Sequence, residues 1–159
     1  MDIARAKDKS LIGAAGVFHV AAELSLRNMI ALPTIRNTAG YDLIATSLDG
    51  TSHANIQVKT SGQRPAFWPI CQKVESVKDG PEDFYVLLRR NIEDDGFEGF
   101  MLSGEEMKDE LIEYKNYYFA KGKVATVEKF ALCLCLDKDN TAKRTAKWIE
   151  RWKIWPIQK

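Results

Sequence analysis

The chain predicts an α/β or α+β domain in which a mixed β-sheet is covered by helices. Three observations lead there. A long apolar-periodic stretch runs from Lys9 to Asn28 near the start. Short runs of β-branched and aromatic residues, separated by turn residues, fill the middle. A second helical signature then opens at Ser103. Helix, strands, helix, a further apolar run and a last helix is an order that layered architectures accommodate.

At 159 residues and a formal net charge of +1, the sequence fits one domain, 1–159, with one sizeable core. The charge is uneven: acids dominate from Glu82 to Glu113, and bases from Lys121 onward. The near-neutral total therefore neither excludes a polyanionic partner nor argues for one. No apolar run is long enough to span a membrane. The apolar segment LIGAAGVFHVAAEL contains His19 and Glu23 and follows Asp2 and Asp8, unlike a signal peptide. A soluble, cytoplasmic protein without membrane association is expected. Cys71, Cys133 and Cys135, with the distant His19 and His53, have neither zinc-site spacing nor the even count of a disulfide framework.

Each element has its own signal. In the first helix, Leu11, Ala15, Phe18, Ala22 and Leu26 recur at three- and four-residue steps and are expected to face the core. Pro33 lies beyond its end, Ala31–Ile35 is extended, and RNTAG has loop chemistry. Tyr41–Leu48 and Thr51–Lys59 form a hairpin around Asp49-Gly50. GQRPAFWP, Gly62–Pro69, reads as a turn region. Phe84–Leu88 is an apolar strand, and Gly96–Leu102 another after an acidic turn. Ser103 and Glu106 have capping-box spacing, with Met107, Leu111, Tyr114 and Tyr118 on one face of the helix that follows. Lys129–Leu136 fits strand or helix. A basic helix at about 141–155 carries Trp148, Trp152 and Trp155, which suit anchorage to the core.

The hairpin concentrates chemistry. With a two-residue turn, Leu48 faces Thr51 and, counting back, Asp42 faces Gln57. Lys59 lies two residues on and shares that face, while Leu43, Ala45, Ile56 and Val58 share the other, core-directed one. A carboxylate, an amide oxygen and a backbone carbonyl suit a hard cation such as Mg²⁺, which keeps several waters and needs few protein ligands. A lysine beside them suits charge developing on a phosphate. An Asp and a Lys near strand ends also pair simply as solvated ions.

Three segments together resemble the PD-(D/E)XK nuclease superfamily. GAAGVFHVAAELSLRN is similar to its first helix, RNTAGYDLIAT to its N-x-x-x-G-x-D-[IL]-[IL]-A segment, and IQVKT to its E-V-K-T strand with Gln for Glu. The likeness runs from Gly13 to Ser61 and points to the Holliday-junction-resolvase-like and Mrr-type branches, some with Q-x-K. It implies a restriction-endonuclease-like central mixed sheet flanked by helices. It also implies Mg²⁺- or Mn²⁺-dependent hydrolysis of DNA phosphodiester bonds. Asp42 would be the metal-binding acid, Gln57 the second ligand with Val58 offering its carbonyl, and Lys59 the catalytic lysine. Many such nucleases act as homodimers. The sequence departs from the pattern at Val17, where the first-helix Glu would stand, and at Gln57. A catalytically inactive descendant that binds DNA or a protein partner is the alternative reading.

Further residues bear on nucleic acid. Thr60, Ser61, Gln63 and Arg64 suit phosphate contacts or an ordinary polar loop. Arg144, Lys147 and Arg151 share one face of the tail helix and suit a DNA backbone or a solvated surface. Trp68 suits sealing the sheet or stacking on a base. Glu105, Glu106, Asp109, Glu110 and Glu113 crowd one helix, so a nucleic-acid face lies away from it.

Overall fold

The computed structural model describes residues 9–35, 40–62, 67–71, 74–91, 95–120, 130–133 and Trp152. In chain order these form α1 (Lys9–Ser25), β1 (Met29–Pro33), β2 (Leu43–Ser47), β3 (His53–Ser61), β4 (Phe67–Cys71), a 3-10 turn (Val74–Ser76), β5 (Asp83–Arg90), β6 (Phe97–Ser103), α2 (Gly104–Ala120) and β7 (Phe130–Cys133). Five strands make one mixed sheet, ordered β1-β2-β3-β5-β6. The β3–β5 pair is parallel and its other neighbours are antiparallel. β4 and β7 form a separate antiparallel pair. This is the α+β arrangement expected from the sequence.

The two faces of the sheet are covered unequally. On one face Leu43, Ala45, Ala54, Ile56, Val58, Phe84, Val86 and Leu88 pack with Val20 and Leu24 of α1. On the other, Tyr85 and Leu87 of β5 and Phe100 and Leu102 of β6 pack with Met107 and Leu111 of α2 and with Trp68. The run FYVLL of β5 is therefore buried on both sides, which explains its unbroken apolar character. The Trp68 indole N–H donates to the Leu88 carbonyl at 2.9 Å, so the ring seals the sheet. Trp152 is also buried, against α1 and Phe97. The remainder of the predicted tail helix lies outside the described residues.

The core-facing stripe of α1 differs from the expected one. Gly16, Val20 and Leu24 are buried, whereas Leu11, Phe18 and Leu26 are 68%, 66% and 78% exposed. The reason is close approach. A Cβ at Gly16 would lie 1.9 Å from Thr60 Oγ1 and 3.1 Å from Leu88 Cδ1, so only the glycine face lets the helix settle on β3. The larger side chains would hold it off. The helix also ends earlier than expected, at Ser25, and Asn28 closes the following turn at φ 61°.

Other local expectations fare variously. The capping box forms: Ser103 N–H donates to Glu106 Oε2 at 2.9 Å and Glu106 N–H to Ser103 Oγ at 3.1 Å. Gly104, at the start of α2, lies against the chain at 78–79, where a Cβ would be 2.4 Å from the Lys78 carbonyl oxygen. Residues 67–69, expected within the turn region Gly62–Pro69, belong to strand β4. Pro69 is tolerated there because β4 belongs to a two-stranded pair whose register shifts beside it. The ambiguous 129–136 segment contributes strand β7.

Within an exposed helix Gly→Ala helps by about 1 kcal/mol. At Gly16 steric overlap outweighs that gain. Gly16→Ala should lower the unfolding free energy in urea by about 1–3 kcal/mol. Thr60→Ala in the same chain should recover part of the loss, a non-additivity that chemical denaturation of both single variants and the double variant measures.

Candidate active site

The hairpin register is as the sequence implies, with a different turn. Leu43 pairs with Ile56, Ile44 with Asn55, Ala45 with Ala54 and Thr46 with His53. The connection is a four-residue loop, Leu48–Thr51, not a two-residue turn. Ser47 N–H reaches the Ser52 carbonyl at 2.9 Å, and Gly50 N–H reaches the Ser47 carbonyl at 3.0 Å. The Asp49 carboxylate organises this loop by accepting from Ser47 Oγ, Thr51 N–H and Thr51 Oγ1. Those bonds hold its pKa down at about 2. Lengthening the loop by one residue on each arm leaves the pairing register unchanged.

Along β3 the alternation is clean. Ala54, Ile56 and Val58 are buried beneath α1, while Asn55, Gln57 and Lys59 are half-buried on the opposite face. That face is roofed by α2 over β5 and β6, so the polar row of β3 lies beside the roof. Among the described residues the Lys59 ammonium makes no ion pair.

Asp42 stands where the β2–β3 ladder stops. Its N–H donates to the Ile56 carbonyl at 2.9 Å. Its carboxylate Oδ2 accepts from Val58 N–H at 2.8 Å. A side-chain oxygen thus replaces the next main-chain acceptor, and the acid is held at Val58, the residue between Gln57 and Lys59 in β3. The last β2 rung is Leu43–Ile56, and the Val58 carbonyl lies beyond it. A carboxylate, an amide oxygen and a main-chain carbonyl are donor types that would suit a hard divalent cation completed by water or phosphate oxygens. No three His, Cys, Asp or Glu side chains gather into a metal-holding group among the described residues.

A supporting cluster was missed in the sequence. The Tyr41 hydroxyl donates to Asp83 Oδ1 at 2.7 Å, Asn55 Nδ2 donates to the same oxygen at 3.4 Å, and Gly80 N–H donates to Asp83 Oδ2 at 3.0 Å. The Lys78 ammonium lies 3.7 Å from the Tyr41 ring centroid. This cluster ties the residue before Asp42 to the start of β5. Asn55 was detectable, two residues before Gln57 on the same face. Asp83 was not, because its proximity depends on the parallel pairing of Asn55 with Asp83.

The remaining candidates are dispersed. Thr60 Oγ1 is buried against α1 without a hydrogen-bond partner among the described residues, and Ser61 is 4% exposed, so both lie within the fold. Gln63, Arg64, Arg144, Lys147 and Arg151 lie outside the described residues. Val17 is half-buried and packs against the core. Glu23 is engaged by Arg27 Nη1 at 2.6 Å. On α2, Glu105, Asp109 and Glu113 are exposed, Glu106 serves the cap and Glu110 is buried.

No family model matches the chain, and no curated protein matches it. Among solved structures it is similar to a bacterial homing endonuclease, I-Ssp6803I, with a TM-score of 0.59 and 13% sequence identity. The match covers 94% of this chain and 93% of that one. At that identity the likeness shows a shared endonuclease fold over nearly the whole length. Among the described residues no helix is long and apolar enough to cross a membrane.

Two outcomes follow from the geometry. The Tyr41 phenol is pushed up to about 12, first by burial, then by the hydrogen bond to Asp83 and the negative charge there. A raised phenol stabilises the fold fully below the ordinary tyrosine range and loses that contribution as pH rises toward about 12. Ultraviolet titration should show a late phenolate that Tyr41→Phe removes. Separately, Asp42→Ala leaves Val58 N–H without its acceptor and should cost about 1–3 kcal/mol in denaturant melts. Asp42→Asn retains an acceptor oxygen and should cost less.

Proposed function

We propose that the chain is a metal-dependent nuclease of the PD-(D/E)XK type that hydrolyses DNA phosphodiester bonds in the cytoplasm. The observation that carries the reading is the hairpin register. The Leu43–Ile56 rung and the Asp42–Val58 hydrogen bond support a site at the end of the β2–β3 ladder in which Asp42, Gln57 and Lys59 would act together, on a fold similar to that of an endonuclease.

In this reading Asp42, the Gln57 amide oxygen and the Val58 carbonyl would hold Mg²⁺ or Mn²⁺. The metal would supply Lewis-acid activation of the phosphate and of the attacking water. Asp42 contributes the only formal charge among these donors, so affinity for the free cation is low and rises when a phosphate oxygen joins. Lys59 carries its charge on a half-buried strand position, where it is worth more than in bulk water. It neutralises negative charge that builds on the phosphate in the transition state. The Asp42–Val58 hydrogen bond and the Tyr41–Asp83 anchor hold the acid in place, so little reorganisation is needed on substrate binding. The exposed acids of α2 direct DNA away from that helix and toward the β3 side.

One observation favours a second reading, a non-catalytic descendant that binds DNA or a protein. Where the superfamily carries an acid in its first helix, Val17 packs against the core, and neighbouring Glu23 is occupied by Arg27.

The deciding experiment incubates the protein with plasmid, single-stranded and branched DNA in Mg²⁺ or Mn²⁺. Cleavage is expected, and Asp42→Asn and Lys59→Ala should each reduce it at least 100-fold on the order of a lost catalytic group, with unchanged circular dichroism. DNA binding without cutting by the wild type, unaffected by these variants, would establish the second reading. In a companion melt, Mn²⁺ with a DNA oligonucleotide should raise the melting temperature of the wild type but not of Asp42→Asn.

A further inference from the structure

Lys78 lies between the start of α2 and the Asp42 segment, and its main chain is held twice. Its N–H donates to the Tyr85 hydroxyl at 3.1 Å. Its carbonyl fits against Gly104, where a Cβ would lie 2.4 Å from it. Tyr85 belongs to the face of the sheet that α2 covers, and its partner in the parallel register is Gln57. Lys78 therefore stands on the side of the sheet that carries Asn55, Gln57 and Lys59.

Its side chain reaches back toward the acid. The ammonium sits 3.7 Å from the centroid of the Tyr41 ring. A Cβ at Gly40 would be 3.9 Å from both its Cε and its Nζ. The cation thus runs alongside the two residues that precede Asp42. Tyr41 is itself pinned by its hydrogen bond to Asp83. The aromatic face holds a flexible four-carbon stem in one place. Part of the rotamer entropy that a lysine loses on gripping an anion is therefore lost already on folding. Acids near this segment have donors of their own: Asp79 pairs with Lys108, Glu82 with His53, and Asp83 accepts from Tyr41, Asn55 and Gly80.

We propose that Lys78 is a substrate-binding residue that takes a backbone phosphate of DNA next to the one acted on at Asp42 and Lys59. The inference rests on the reading of that site as one acting on DNA, and it adds a second cation to it. Asp42 is held to Val58, the residue before Lys59, and follows Tyr41, on which the Lys78 ammonium rests. One cation comes from β3 and the other from the segment that leads into β5. Each phosphate of a DNA strand carries a charge, so cations on two elements can grip one strand at two points. Such a contact fixes the register of the strand and leaves the choice of bases to other residues.

Fluorescence anisotropy with a short labelled DNA duplex, over a range of salt concentrations and with or without Mg²⁺, tests it. Lys78→Gln should raise Kd about 3–10-fold near physiological salt and lower the slope of log Kd against log salt by about 1. The loss should be the same for duplexes of unrelated sequence. Lys78→Arg keeps the charge and the ring contact and should keep the wild-type slope. Lys9→Gln removes the same charge from the exposed start of α1 and should also keep it. A residue that only supports the fold would not move the salt slope. Equal slopes for the wild type and Lys78→Gln, or the same loss in Lys9→Gln, would overturn the proposal. Cleavage scored in the Mg²⁺ samples separates it from the nuclease reading. Cutting by the wild type, with a slope that Lys78→Gln leaves unmoved, removes the phosphate contact and keeps the nuclease. Binding without cutting, with the slope lost in Lys78→Gln, keeps the contact and removes the nuclease. A wild type that binds no DNA overturns both.

Discussion

Where β2 stops pairing with β3, the Val58 N–H needs an acceptor, and the acceptor is an acid. A buried or half-buried main-chain donor left without a partner is costly, so the end of a ladder must be closed by something. Here the Asp42 carboxylate closes it at 2.8 Å. A charged acceptor makes that bond stronger than a carbonyl would. The same bond holds the acid to the main chain of Val58, between Gln57 and Lys59 in sequence. One hydrogen bond thus closes the ladder and fixes the candidate acid to β3.

The unequal cover of the sheet gives the site its setting. β5 is buried on both faces, between α1 and α2, whereas β3 is buried only beneath α1. Its other face therefore carries Asn55, Gln57 and Lys59 without the penalty of placing polar groups in an apolar interior. The Tyr41–Asp83 contact then ties the two parallel strands and the Asp42 segment together from this side. A phenol with its pKa raised to about 12 stays a hydrogen-bond donor to that carboxylate throughout the neutral range. The fold is shared with a homing endonuclease over 94% of the chain, while the residues themselves decide what chemistry it can perform.

α1 shows how a single small residue settles a competition. Two apolar stripes of similar hydrophobicity were available to meet the sheet. Gly16 allows backbone-to-strand contact at Thr60, and dense packing favours the face that approaches closest. The bulkier stripe is left outside as a consequence.

Features set by near neighbours were legible in the amino-acid order alone. The alternation in IQVKT separates Ile56 and Val58 from Gln57 and Lys59 because successive side chains of a strand point to opposite faces. The Ser103–Glu106 cap and the β5 run are legible for the same reason: each rests on residues a few positions apart. The pairing register of β2 with β3 survived a different turn type, since the longer loop takes one residue from each arm. Only the tertiary structure decided which face of α1 is buried, that residues 67–71 are a strand, and that Asp83 reaches Tyr41. Each of these depends on surfaces distant in sequence meeting in space. Periodicity announces that an element has an apolar side, but which side finds a partner is settled by the shapes that arrive there.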